Sequence, residues 1–279
     1  MNYRPTSHRA GFTLVELLIG MALLAVVLAA TLQIFTSSAD GTTRLNNLSD
    51  SQQEALNGLQ FVSGRLKEAW YVYPAGTVID LGSNALVKNP ATGANAGSTR
   101  YAVGTEPMLA MILPPADRTL SCAASPSGCY RFYAYFAVKH SDWTAAATGF
   151  NDPGPATGSQ TTWVLAEYRA NFSGTPSIVN GGAVPTVPTG QASTNLFMTN
   201  VAPALGTTAP NYRLFTLSTV TLSSPGATQL TNWPLTHVNQ VRQELRVLRQ
   251  QGSGVQALPS TTSTYQLTIF PENIGRSGF

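Results

Sequence analysis

The sequence predicts an α+β protein, with a long N-terminal helix followed by a β-rich domain. Three observations carry that prediction. No proline occurs from Thr6 to Tyr73. Apolar residues recur at Leu45, Leu48, Ala55, Leu59, Val62, Leu66, Ala69 and Tyr73, with Gln52 at the missing step. That alternation of three and four puts one apolar stripe on a helix. Beyond Pro74, short runs dense in aromatic and β-branched residues are separated by Gly, Pro, Ser, Thr and Asn. This is the pattern of strands joined by turns.

The chain begins with a basic leader, residues 1–11, which holds Arg4, His8 and Arg9. The helix is expected from Phe12 to Tyr73. Its part from Val15 to Phe35 is long enough to cross a bilayer, which takes ~17–25 mostly apolar residues. Gly20, Thr31 and Gln33 weaken that part without adding charge. Glu16 does add charge. A charged side chain at the bilayer centre costs roughly 2.5–3.5 kcal/mol, and less near the edge, so this acid needs a partner. Positive charge stays on the cytoplasmic side, which places the leader inside and the rest outside. An ordinary secretory signal has a core of ~7–15 apolar residues and a small-x-small cleavage site. Here the core is longer, and Leu28-Ala29-Ala30 matches poorly. A plain membrane anchor fits the length but leaves Glu16 unexplained.

The run Gly11-Phe12-Thr13-Leu14-Val15-Glu16-Leu17-Leu18 resembles the class III signal of type IV prepilins and type II secretion pseudopilins. The resemblance implies cleavage by a prepilin peptidase between Gly11 and Phe12, with N-methylation of Phe12. It also implies that Glu16 meets the Phe12 ammonium of a neighbouring subunit during assembly, which gives the buried acid its partner. The implied architecture is pilin-like: the long helix packs on an antiparallel β-sheet domain, residues 74–279. The implied partners are the peptidase, other major and minor pilin subunits, the pilus assembly machinery and the inner membrane. The chain would be a single-pass inner-membrane protein before assembly, and part of a surface pilus afterwards.

Charged residues make up only 10% of the chain, well below the usual ~25%. That suits an exported, turn-rich β domain rather than a cytosolic enzyme. The net charge is +3, and part of it lies in the leader. Bulk charge therefore makes no case for nucleic-acid binding. The two cysteines, Cys122 and Cys129, flank Pro126 and Gly128. In an oxidising compartment two nearby cysteines usually pair, and so short a loop adds perhaps 2–3 kcal/mol. Free thiols or a metal are the alternatives, but no histidine lies beside them.

Along the helix, Asp40-Gly41 is a candidate kink, and Gly58 and Gly64 each cost ~1 kcal/mol relative to Ala. Arg65 and Lys67 suit the C-terminal dipole, and Pro74 stops the helix. Residues 74–107 predict loop with one short strand near Thr77–Leu81. Strands follow at Met108–Leu113, Tyr130–Lys139 and Thr162–Arg169, the last two forming a hairpin around the loop 141–160. Residues 171–211 are expected to be a surface excursion. Further strands are expected at Asn211–Leu222, with apolar positions at Leu214, Val220 and Leu222, and at Tyr265–Phe270. Val238–Arg249 fits a helix through Val238, Val241, Leu245 and Leu248. It also fits a strand through Val241, Leu245 and Val247, with Gln243 as a defect. The similarity to PilW-type minor pilins favours the strand.

No catalytic constellation, cofactor motif or metal-ligand spacing is present, so the chain is not expected to be an enzyme. His140 and His237 are expected at the surface or in loops, Trp163 in the core and Trp143 exposed near a loop. Arg242, Arg246 and Arg249 form the basic cluster outside the leader, expected to be a solvated face. DNA contact would need converging aromatics as well, so DNA is a possible but unsupported partner. The size of the chain and its long loops resemble PilW-type minor pilins or J-type pseudopilins. The expected role is a minor pilin that primes or tips a type IV pilus in motility, adhesion or DNA uptake. The alternatives are a type II secretion pseudopilin, or a tip binding module for DNA or a surface.

Overall fold

The computed structural model describes residues 13–91, 93–155, 162–176, 184–188, 192–202, 214–221, 236–251 and 254–272. It divides into two compact units, Met1–Asp50 and Ser51–Phe279. The first unit holds most of helix α1, which runs from Leu14 to Glu68 and is unbroken at Asp40-Gly41. Leu45 is exposed in this unit, so the stripe is not buried there.

The second unit is α+β. The last part of α1 buries Ser51, Ala55, Leu59, Val62 and Leu66. Among the described residues twelve strands follow: β1 (Tyr71–Val72), β2 (Val78–Asp80), β3 (Arg100–Ala102), β4 (Met108–Leu113), β5 (Arg131–Lys139), β6 (Trp163–Asn171), β7 (Ser193–Val201), β8 (Phe215–Thr221), β9 (Thr236–Leu245), β10 (Val247–Gln251), β11 (Gly254–Leu258) and β12 (Tyr265–Ile269). Seven form an antiparallel sheet in the order β1-β4-β5-β6-β7-β10-β11, and three form a second sheet, β12-β9-β8. A short helix α2 (His140–Thr144) follows β5.

Two cores flank the large sheet. One joins Leu109, Met111, Tyr135 and Leu165 to the α1 stripe and to Val238, Val241 and Leu245 of the small sheet. The other joins Met108, Ala110, Phe132 and Phe136 to Ile79, Tyr101 and Trp143. Neighbours in sequence thus enter opposite cores. This explains why β4 and the interior of β5, Phe132 to Val138, are apolar throughout: a sheet covered on both faces has no polar side to write into its strands.

The expected strands at 77–81, 108–113, 130–139, 162–169 and 265–270 all form, and β5 pairs with β6 from Arg131–Asn171 to Lys139–Trp163. Other expectations need correction. The helix ends at Glu68 rather than Tyr73. Trp70-Tyr71-Val72-Tyr73 is a β-favouring run, and the edge of β4 takes it: the Trp70 N–H donates to the Ile112 carbonyl at 2.8 Å and Tyr73 N–H to Ala110 at 3.0 Å. Segment 171–211 contains β7, paired along β6, so it is not simply a surface excursion. Residues 238–249 are extended, as expected, but they break at Arg246 and feed two different sheets. Gln243 is only 1% exposed and shares its face with Val241 and Leu245, so the defect is real. Val220 is exposed rather than inward, and Leu222 lies outside the described residues. Trp143 is fully buried and donates from Nε1 to the Asn151 carbonyl at 2.7 Å. His140 is buried as well, because α2 folds back over the sheet.

Candidate processing and assembly site

The leader, Gly11 and Phe12 lie outside the described residues, so the site is described from Thr13 onward. Thr13 precedes the first helical residue, Leu14. Its backbone N–H donates to Glu16 Oε2 at 3.0 Å and its hydroxyl to the same oxygen at 2.9 Å. In return Glu16 N–H donates to Thr13 Oγ1 at 3.3 Å. This is a capping box, in which a Thr and a Glu three residues on satisfy each other's backbone donors at a helix start. Thr-x-x-Glu before an apolar run is itself a helix-start signal in the sequence, carried by the same Glu16 that the methylation motif contains. The cap places the carboxylate at the positive end of the helix dipole, beside the expected cleavage site.

Behind the cap, every large apolar side chain from Leu14 to Phe35 is more than half exposed, from Leu28 at 53% to Leu14 at 77%. The most apolar window of this helix has a mean hydropathy of 2.5, and none of it is buried. Apolar surface on all sides does not form the single stripe of a surface helix. Leu14 to Phe35 spans roughly 33 Å at the helical rise, close to the ~30 Å hydrocarbon core of a bilayer. Two hydroxyls are muffled within the helix: that of Thr31 donates to the Val27 and Leu28 carbonyls and that of Thr36 to the Gln33 carbonyl. Satisfied hydroxyls cost little in lipid.

Residues 6–32 match the family described as the prokaryotic N-terminal methylation motif. The N-terminus carries a type IV prepilin-like class III signal. No curated protein and no solved structure matches the chain. A motif of this type implies processing by a prepilin peptidase and, in general terms, assembly with pilin-type partners.

The other expected site residues fall apart or come together as follows. Cys122 and Cys129 form a disulfide, with Cα atoms 4.4 Å apart. A 3₁₀ turn at Pro126–Gly128 closes the loop, and Cys129 N–H donates to the Pro126 carbonyl at 3.1 Å. A Cβ on Gly128 would collide with the backbone of Leu120 and Ser121. Among the described residues, no group of three His, Cys, Asp or Glu could hold a metal. The basic cluster is dispersed: Arg242 pairs with Glu244 at 2.7 Å, Arg246 donates to the Thr261 carbonyl at 2.7 Å, and Arg249 reaches Ser51. His237 lies on β9 and His140 at the start of α2, with no shared site. Burial lowers the His140 pKa, and Asp152 pulls it the other way. Burial also pushes the Tyr71 hydroxyl up to about 12.

Proposed function

We propose that this chain is a minor pilin of a type IV pilus, most similar to the PilW type, that primes or tips the filament. One observation carries the reading: Leu14–Phe35 is unburied all round, while Ala55, Val62 and Leu66 on the same helix are fully buried. The first stretch awaits a bilayer and then other subunits, and the second holds the domain. The role is assembly rather than catalysis. The Ser51–Phe279 unit, with its second sheet, is large for a repeating subunit and suits a position where bulk is tolerated. Residues 74–279 lie outside the cytoplasm, where the disulfide forms.

The test begins with the intact mass of membrane-extracted protein from cells with and without prepilin peptidase. Loss of residues 1–11 and a methyl group on Phe12 are expected only with the enzyme. Deleting the gene should then reduce surface pili and leave exoprotein secretion unchanged. The opposite result assigns the chain to the pseudopilin class. An uncut chain removes both readings.

A further inference from the structure

The face of the large sheet that carries α1 holds a charged cluster that core packing does not require. Tyr133 of β5 lies directly opposite Arg169 of β6. The Arg169 guanidinium stands 5.6 Å from the Tyr133 ring centroid, and Arg65 of α1 stands 5.0 Å from the same ring. Arg65 is also 5.3 Å from the ring of Phe61. The two guanidiniums are not equivalent. Arg169 is paired with Glu167, which is buried and accepts from the Tyr135 hydroxyl at 2.8 Å. Arg65 has two aromatic rings against it, but among the described residues no acid lies within ion-pair distance.

A guanidinium stays charged and presents five donors in one plane. Contact with two rings restricts the guanidinium before a partner arrives, so less side-chain freedom remains to be lost on binding. Phe61 is 42% exposed and adds apolar surface at the rim. Arginine beside an aromatic ring is the composition of interface hot spots.

We propose that Arg65, held between Phe61 and Tyr133, is a receptor for a carboxylate on the helical stem of a neighbouring prepilin-like subunit. The proposal rests on the filament-subunit reading. Charge selects the partner. Arg65 and Arg169 against Glu167 leave one uncompensated positive charge. Nucleic acid binding draws on several phosphate contacts at once, whereas one guanidinium matches one carboxylate in a bidentate pair. Acids of the required kind occur on this chain's own stem: Asp40 and Asp50 are exposed on α1 and make no ion pair among the described residues. A second stem of this type presents the same chemistry.

The test uses the full-length chain in cells that carry its own assembly machinery, with a benzophenone-bearing phenylalanine in place of Phe61, which keeps an aromatic ring beside Arg65. Adduct peptides are identified by mass spectrometry. The expected adduct maps to the helical stem of a prepilin-like subunit, next to an Asp or Glu. Arg65→Glu should lower its yield by about tenfold or more, and Arg65→Lys by less. Reversing the partner's acid to Lys should restore the adduct of Arg65→Glu. Thermal melting and the intact Cys122–Cys129 disulfide verify that each variant is folded. An adduct to DNA, to lipid or to a surface other than a stem overturns the proposal, and so does an adduct indifferent to Arg65→Glu. Processing of residues 1–11 is scored in the same cells. If cleavage and methylation occur and the adduct fails, only the receptor falls. If neither occurs, the filament reading falls with it.

Discussion

The two ends of α1 share a backbone and differ in everything their side chains do. From Leu14 to Phe35 apolar residues occupy every side, and all the large ones are exposed. From Ser51 to Leu66 one stripe of them, Ala55, Leu59, Val62 and Leu66, is buried, while Leu56 and Phe61 stay exposed beside it. Helical geometry is common to both, so the distribution of apolar residues around the axis decides which environment each end seeks. An all-round apolar segment seeks a medium, and a striped segment seeks a surface.

Placing a charge at each end should break this contrast most sharply. Val62→Asp puts an unpaired carboxylate into the core and should cost ~4 kcal/mol or more. Guanidinium unfolding of the detergent-solubilised chain, followed by tryptophan fluorescence, measures it. Leu24→Asp should leave that midpoint unchanged and instead deplete the chain from the membrane fraction. Equal effects on unfolding would show that the two ends are not separate in function.

Glycines sharpen the comparison. A Cβ on Gly58 would collide with the Met198 sulfur, whereas Gly64 has nothing within 4 Å. Gly58→Ala should destabilise by ~1–3 kcal/mol through overpacking, and Met198→Ala in the same chain should recover part of the loss. Gly64→Ala should stabilise by ~1 kcal/mol through helix propensity alone. At the membrane end, Thr13→Ala removes the cap and should cost ~1 kcal/mol. It is read as faster amide exchange in the first turn, with the midpoint of the β domain unchanged. The smallest effect is that of His140. Burial lowers its folded pKa, so on acidification the unfolded chain takes up a proton first. Stability should be full above the ordinary histidine range near ~6.5 and decline as pH falls through it. In His140→Gln that slope should flatten.

What could be read from the sequence follows from how each element announces itself. β4 and β5 are apolar on both faces and stood out at once. β7 did not, because Ser193-Thr194-Asn195 and Thr199-Asn200 carry turn-forming residues into a strand that tertiary pairing with β6 holds extended. Trp143 and His140 were misplaced for a related reason: nothing local indicates that a polar loop folds back over a sheet. The helix end was overrun because Tyr73 continues the three-four spacing, while Tyr71 and Val72 prefer the edge of β4. At the site, Gly11, Phe12 and Glu16 stood out through their motif, and the disulfide through compartment and spacing. The Arg65 cluster was invisible, since Arg65, Tyr133 and Arg169 are far apart in the chain and meet only through helix packing and strand register.

The passage from α1 into β1 also bears on mechanics. Tension applied along α1 would reach the β domain where the helix ends. Two and five residues after the helix ends, the chain is pinned to β4 by the Trp70 and Tyr73 backbone bonds, and Gly58 seats the helix against Met198 of β7. Traction on the stem therefore enters the sheet at two separate strands. Load shared between β4 and β7 does not fall on one edge of the sheet alone.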